Sequence, residues 1–241
     1  MQVLEVNDLW KFYGSYPAVR GLTFAIDEGI VYSLVGPNGA GKTTTLRTVV
    51  GLLSPSRGSV KVMGYDVHRE RTKALKYVTY VPDNPVLYGE LTVMEYVYLL
   101  ASIRGLEKSL AERRAEYYFE RFELKGLEKV KVSKLSRGNI QKLILTMAFI
   151  PQPKLIVMDE PYMALDVLAQ KVLKEEIKEL VKSGSSVLLS SHVLPWVEGI
   201  ADRVCIMHRG IKVIEGTITE VKQAMKVSTL EDALLKVITG E

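Results

Sequence analysis

Short apolar runs rich in β-branched residues alternate along the chain with longer stretches whose apolar positions recur every three or four residues. The runs at 3–6, 23–26, 30–35, 58–62, 77–81, 155–158, 186–189, 203–207 and 212–215 read as strands. Two of them, Leu155-Ile156-Val157-Met158 and Val187-Leu188-Leu189, are apolar at every position. A strand carries that pattern when both of its faces are covered, as in a parallel sheet packed between helices. Strands alternating with helices predict an α/β fold.

The stretch 92–150 breaks the rhythm, because it holds no strand pattern. A helix opens at Leu91-Thr92 and runs through Ile103, with Gly105 as its stop. A charged helix over 110–122 carries Tyr117, Tyr118 and Phe122 on its apolar side. A third, over 138–149, places Ile140, Leu143, Ile144 and Met147 at helical spacing. Pro151 and Pro153 mark the return to the sheet. The pattern predicts a helical sub-domain, 91–150, inserted into a core formed by 1–90 and 151–225. A terminal segment, 226–241, holds a short amphipathic helix over 229–239, with Thr229 as N-cap and Asp232 in its first turn. Together these parts read as a single domain over 1–240.

Composition acts mostly by exclusion. With 47% hydrophobic and 25% charged residues, the 241-residue chain has ordinary globular content. A net charge of +4 permits contact with a phosphate ligand, an anionic membrane surface or nucleic acid, and selects none of them. The single cysteine, Cys205, excludes an intrachain disulfide, and its apolar neighbours predict a buried, inert thiol. The N-terminus lacks a basic start followed by an apolar stretch, so no signal peptide is expected. No apolar run approaches the ~18–20 residues that span a bilayer. A role at a membrane would need another chain to supply the spans.

Candidate chemistry begins at Gly36-Pro37-Asn38-Gly39-Ala40-Gly41-Lys42-Thr43, which fits G-x-x-x-x-G-K-[ST]. A strand precedes it and a helix over 44–50 follows, whose first residue, Thr44, is counted with the loop as a nucleotide-binding candidate. The glycines let the backbone curl so that successive N–H groups face one concavity. Those amides and the Lys42 ammonium suit the β- and γ-phosphates of a nucleoside triphosphate, and the Thr43 hydroxyl suits Mg²⁺. The strand 155–158 ends in Asp159-Glu160, at the carboxyl edge where open α/β sheets bind ligands. Asp159 is placed to hold Mg²⁺ and Glu160 to polarise an attacking water. Leu135-Ser136-Arg137-Gly138-Asn139 opens the third helix with a serine hydroxyl and leading amides, a second anion-binding start.

The region 132–166 strongly resembles the ATP-binding subunits of ABC transporters. Residues 135–139 stand where that family carries its signature, just upstream of the aspartate–glutamate strand. Ala164-Leu165-Asp166 resembles its D-loop, and His192, in Ser190-Ser191-His192, matches its switch histidine. Tyr13, in Lys11-Phe12-Tyr13-Gly14, matches its adenine-stacking aromatic. The resemblance implies a P-loop NTPase fold with a mixed sheet core, an N-terminal antiparallel β subdomain and an inserted helical subdomain. It implies ATP and Mg²⁺ as ligands, and His192 as a contact of the γ-phosphate. It also implies a head-to-tail dimer, with a second copy or a paralogous ATP-binding subunit, in which Ser136 and Gly138 of one subunit complete the ATP site of the other. A separate integral membrane permease chain would be the mechanical partner, with this subunit at the cytoplasmic face of the cell membrane. The closing stretch is similar to ABC-2 type subunits, which points to export.

Four positions depart from the family pattern: Arg137 for a glycine, Asn139 for a glutamine, Asp83 for a glutamine, and Tyr162 for a small polar residue. Asp83 can still ligate Mg²⁺ and is kept as a metal candidate. None of the four removes Lys42, Asp159, Glu160 or His192, so an active ATPase is expected. Val86, Leu87 and Tyr88 are apolar residues expected on a loop, suited to a groove that receives a partner's helix. The alternative is a soluble ABC-type ATPase acting on nucleic acid or ribosomes. The basic cluster Lys125, Lys129, Lys131, Lys134 and Arg137 is the one feature in its favour, and no nucleic-acid partner is expected. A small-molecule kinase would use the same loop but explains neither the signature nor His192.

Overall fold

A computed structural model describes residues 1–240. Its strands are β1 (Gln2–Tyr13), β2 (Tyr16–Asp27), β3 (Val31–Val35), β4 (Arg57–Val62), β5 (Tyr65–Asp66), β6 (Val78–Val81), β7 (Leu155–Asp159), β8 (Ser186–Ser191), β9 (Arg203–His208) and β10 (Ile211–Thr217). The helices are α1 (Lys42–Val49), α2 (Arg71–Leu75), α3 (Val93–Arg104), α4 (Lys108–Arg121), α5 (Arg137–Phe149), α6 (Val167–Lys182), α7 (Leu194–Glu198), α8 (Ile218–Met225) and α9 (Leu230–Thr239). Glu241, the last residue of the expected terminal segment, lies outside the described residues.

Two sheets carry the fold. A six-stranded sheet has the order β10-β9-β3-β8-β7-β6, and a four-stranded one the order β2-β1-β4-β5. In the larger sheet β9, β3, β8, β7 and β6 run parallel, and β10 closes one edge antiparallel to β9. The smaller sheet is antiparallel throughout. This is the mixed core and N-terminal β layer that the resemblance implied.

The all-apolar strands explain the layering. On β7, Leu155 and Val157 face the N-terminal sheet and α1, in one cluster with Val6, Ile26 and Leu46. Ile156 and Met158 face the other way, into a cluster with Val97, Phe119, Phe149 and Leu173. Every one of these side chains is fully or almost fully buried. Burial of each large apolar side chain stabilises by about 1.5–3 kcal/mol, enough to offset polar costs at the strand ends. The same alternation sends Asp159 to the α1 side. Strand β3 lies between β8 and β9, and the chain crosses from β8 on one side of it to β9 on the other, a reversal of strand order that opens a crevice at the carboxyl ends.

Between Val81 and Leu155 the helices α3, α4 and α5 follow one another, joined by a short 3-10 turn at Val132–Lys134 and one isolated bridge, Thr92 to Lys131. Thr92 caps α3 and Glu95 reaches back to the Thr92 amide, a capping box, while Gly105 ends the helix at φ 63°. Strands β1 and β2 extend well beyond the runs at 3–6 and 23–26. Register shifts near Asn7, Leu9 and Lys11 reset the alternation, so the apolar period is lost although pairing continues. Helix α6 is missing from the sequence reading, yet buries Val172, Leu173, Glu176, Ile177 and Leu180 on one side. Cys205 is buried, as expected, and burial pushes its thiol up to about 12.

Candidate functional site

The phosphate loop joins β3 to α1. A Cβ at Gly36 would collide with the Met207 carbonyl oxygen, and one at Gly41 would come within 2.5 Å of the Ala18 carbonyl oxygen. Only glycine admits those approaches, and Gly41, at φ 100°, also takes a left-handed turn into the helix. No side chain caps α1. Its leading amides, which have no partner within the helix, are left to serve the cleft. The Lys42 ammonium donates to the carbonyls of Gly36 at 2.7 Å and Pro37 at 3.2 Å. Burial holds its pKa below the usual lysine range, while the nearby Glu160 and Asp159 pull the other way.

Opposite the loop, Asp159 is 1% exposed. Its Oδ1 accepts from the Ser190 hydroxyl at 2.5 Å and the Thr43 hydroxyl at 3.2 Å. Burial raises its carboxyl above the ordinary range, against the pull of those two donors. Its Oδ2 is buried with no partner. An acidic oxygen left bare beside a threonine hydroxyl fits a cation. Among the described residues no three His, Cys, Asp or Glu side chains form a metal cluster. A cation here would therefore take its remaining ligands from phosphate or water, the usual habit of Mg²⁺.

Glu160 follows at φ 49°, and its N–H points at Ser190, 3.3 Å from the carbonyl and 3.2 Å from the hydroxyl oxygen. Its Oε1 lies 2.8 Å from His192 Nδ1, and its Oε2 accepts from the Tyr162 hydroxyl. His192 leaves the end of β8 half exposed.

Lys42, Thr43, Glu160 and His192 border one open cleft of about 470 Å³, while Asp159 is not part of its lining and is buried behind the Thr43 hydroxyl. Tyr13, Asn38, Gly39, Ala40, Gly41, Lys42, Thr43, Thr44, Asp83, Glu160 and His192 all line it. Gly36 and Pro37 act from beneath, through their carbonyls. Asp83 reaches Arg47 at 3.4 Å across the mouth. Ser136 and Gly138 do not line the cleft; Ser136 is exposed and caps α5 by accepting from the Asn139 amide at 3.2 Å. Arg137, between them, does line it. So do Tyr16, Ala18, Asn84 and Met163, which the sequence reading passed over. Tyr16 was within reach of that reading, since it pairs with Tyr13 across the hairpin. In the segment after β6, Val86 is 91% and Tyr88 75% exposed, whereas Leu87 packs on the core.

A glycine-rich phosphate loop after the central strand, with an aspartate and a glutamate closing on it from the next strand but one, defines a P-loop nucleoside triphosphatase. Comparison with known proteins narrows the class. The family described as ABC transporter matches residues 19–163. The ABC-type transporter ATP-binding protein EcsA of Bacillus subtilis (strain 168) is 35% identical over 98% of this chain and 96% of its own. The Nod factor export ATP-binding protein I of Rhizobium etli is 32% identical, over 90% of this chain and 68% of its own. A solved structure of an ATP-binding subunit of an ABC transporter superposes with a TM-score of 0.94 at 32% identity, covering 98% of this chain and 99% of that one. The chain belongs to the ABC transporter family, as an ATP-binding, ATP-hydrolysing subunit.

Proposed function

We propose that this subunit drives an exporter: two copies, or one copy and a paralogue, close head to tail around two ATP molecules and move a separate membrane-spanning chain. One observation carries the dimer. Ser136 is exposed, and it and Gly138 stand outside the cleft lined by this chain's own phosphate loop, with only Arg137 between them reaching it, so the anion-binding geometry of this helix start suits a nucleotide held by a second subunit. The lean toward export rests on likeness to the Nod factor export protein. Among the described residues no helix is long and apolar enough to cross a membrane, which accords with work at the cytoplasmic face beside a permease.

In the closed dimer, Lys42 and the α1 amides bind the β- and γ-phosphates, and Tyr13 stacks on the adenine. Thr43, Asp159 and Asp83 would hold Mg²⁺, which supplies neutralisation of phosphate charge when bound. Glu160 polarises the attacking water, and His192 turns toward the γ-phosphate. Closure shifts the 91–150 helices against the core, and exposed Val86 and Tyr88 offer a greasy contact to the permease. Glu160→Gln tests the scheme. It should bind ATP normally and accumulate as an ATP-bound dimer by size-exclusion chromatography with little phosphate release; near-normal hydrolysis would remove Glu160 from the role.

A further inference from the structure

Tyr162 stands between the two groups assigned to chemistry. Its hydroxyl donates to Glu160 Oε2 and lies 3.4 Å from His192 Nδ1. From behind, the Ser191 hydroxyl donates to it at 3.2 Å. The ring is buried against Trp196, with centroids 5.1 Å apart. Burial first, then donation to Glu160, carries the phenol far above its ordinary pKa. It therefore keeps its proton at any working pH and serves as a fixed donor.

The backbone on either side is held in an uncommon shape. Glu160 and Ala164 both adopt left-handed conformations, at φ 49° and 65°, which non-glycine residues take reluctantly. In α5, Gln141 donates to the Pro161 carbonyl at 3.1 Å, so the turn that carries Tyr162 is tied down. At rest both Glu160 oxygens are engaged: Oε1 with His192 Nδ1 at 2.8 Å, Oε2 with Tyr162 and with the His192 N–H at 3.4 Å. Oε2 is thus the more fully engaged oxygen, whereas Oε1, held by His192 Nδ1, keeps a lone pair for a water. His192 is half exposed and free to turn, whereas Tyr162 is locked by its ring.

We propose that Tyr162 is a positioning residue: it clamps Glu160 by Oε2, so that Oε1 becomes the oxygen that takes the proton of water when His192 turns to the nucleotide. It rests on the reading of Glu160 as the water-polarising group. In the step itself, a water O–H proton passes to Oε1 and the water oxygen bonds to the γ-phosphorus. The bond from that phosphorus to the bridging oxygen breaks, and its electron pair leaves with ADP.

Tyr162→Phe keeps the ring on Trp196 and removes only the donor. Phosphate release, divided by ATP-binding stoichiometry so that misfolded material drops out, should show kcat lowered about tenfold or more with KM for ATP within about twofold. A purely structural tyrosine would leave kcat unchanged in the phenylalanine variant, and kcat within about twofold of wild type overturns the proposal. Glu160→Gln is measured in parallel. If it keeps turnover, the reading of Glu160 fails and takes the clamp with it; if it is inactive while Tyr162→Phe is normal, the clamp alone fails.

Discussion

Two helix starts in this chain are assigned to anions in the proposed scheme, and they are finished to different degrees. The start of α1 has a left-handed glycine where a capping side chain would be, a buried lysine, and glycines so close to neighbouring backbone that no side chain fits. Its donors are left uncapped, and a cleft surrounds them. At the start of α5, Ser136 satisfies the Asn139 amide with its own hydroxyl and stays in solvent. The first is a site held open at a cost in local stability. The second is capped and comfortable as it stands, and waits for something else to cover it. A chain that carries one complete and one uncovered anion start is suited to sharing nucleotides between copies.

That contrast breaks most visibly at Lys42. Lys42→Ala should lower turnover by about 10³-fold or more and weaken ATP binding by the isolated subunit, read by phosphate release and by nucleotide titration. Ser136→Arg should differ in kind: binding by the isolated subunit stays within about twofold while turnover falls by roughly 10²-fold, since only the closed state is blocked. If Ser136→Arg weakened binding by the isolated subunit as much as Lys42→Ala, the two starts would be serving one site within the chain.

A third prediction probes the cost of keeping the first site open. Burial raises the folded Asp159 pKa, so its stabilising protonated form is lost as pH climbs from the ordinary carboxylate range through that raised value. Near neutral pH the charge destabilises the fold, and Asp159→Asn should raise the melting temperature by about 2–4 °C, or ~1 kcal/mol, without nucleotide present. The gain should vanish below about pH 4, where the wild-type group also carries a proton. A lower melting temperature in the variant at neutral pH would mean that Ser190 and Thr43 already compensate the charge. Smallest of all, Ser136→Ala should cost about 1 kcal/mol or less by loss of the cap, seen as a melting shift of a few degrees at most.

The sheet and the phosphate loop were legible because their causes are local. An all-apolar Leu155–Met158 run, short and following Pro151 and Pro153, reads as a strand covered twice, and a loop of glycines ending in Lys42-Thr43 has few other uses. Helices α3, α4, α5 and α9 also announced themselves, through Thr92, Gly105, Thr229 and apolar spacing. The full length of β1 and β2 did not, since bulges near Asn7 and Lys11 scramble the alternation that signals pairing. The cleft walls were harder still. Asn84 and Met163 reach it from separate loops, which only the assembled sheet brings together. Tyr162 stood out as a departure from the family pattern, but its hydrogen bond to Glu160 depends on the left-handed turn between them.

The sharing of nucleotide sites between subunits is tested most directly by mixing. Lys42→Ala and Ser136→Arg subunits, each inactive alone, are combined in equal amounts and phosphate release is measured. In a mixed dimer, one site would pair the intact loop of one subunit with the intact signature of the other. The mixture should then recover about a quarter of wild-type turnover, because half of the dimers are mixed and each holds one good site. If activity stays at the level of the separate mutants, or if either mutant is fully active alone, sites are not shared in this way.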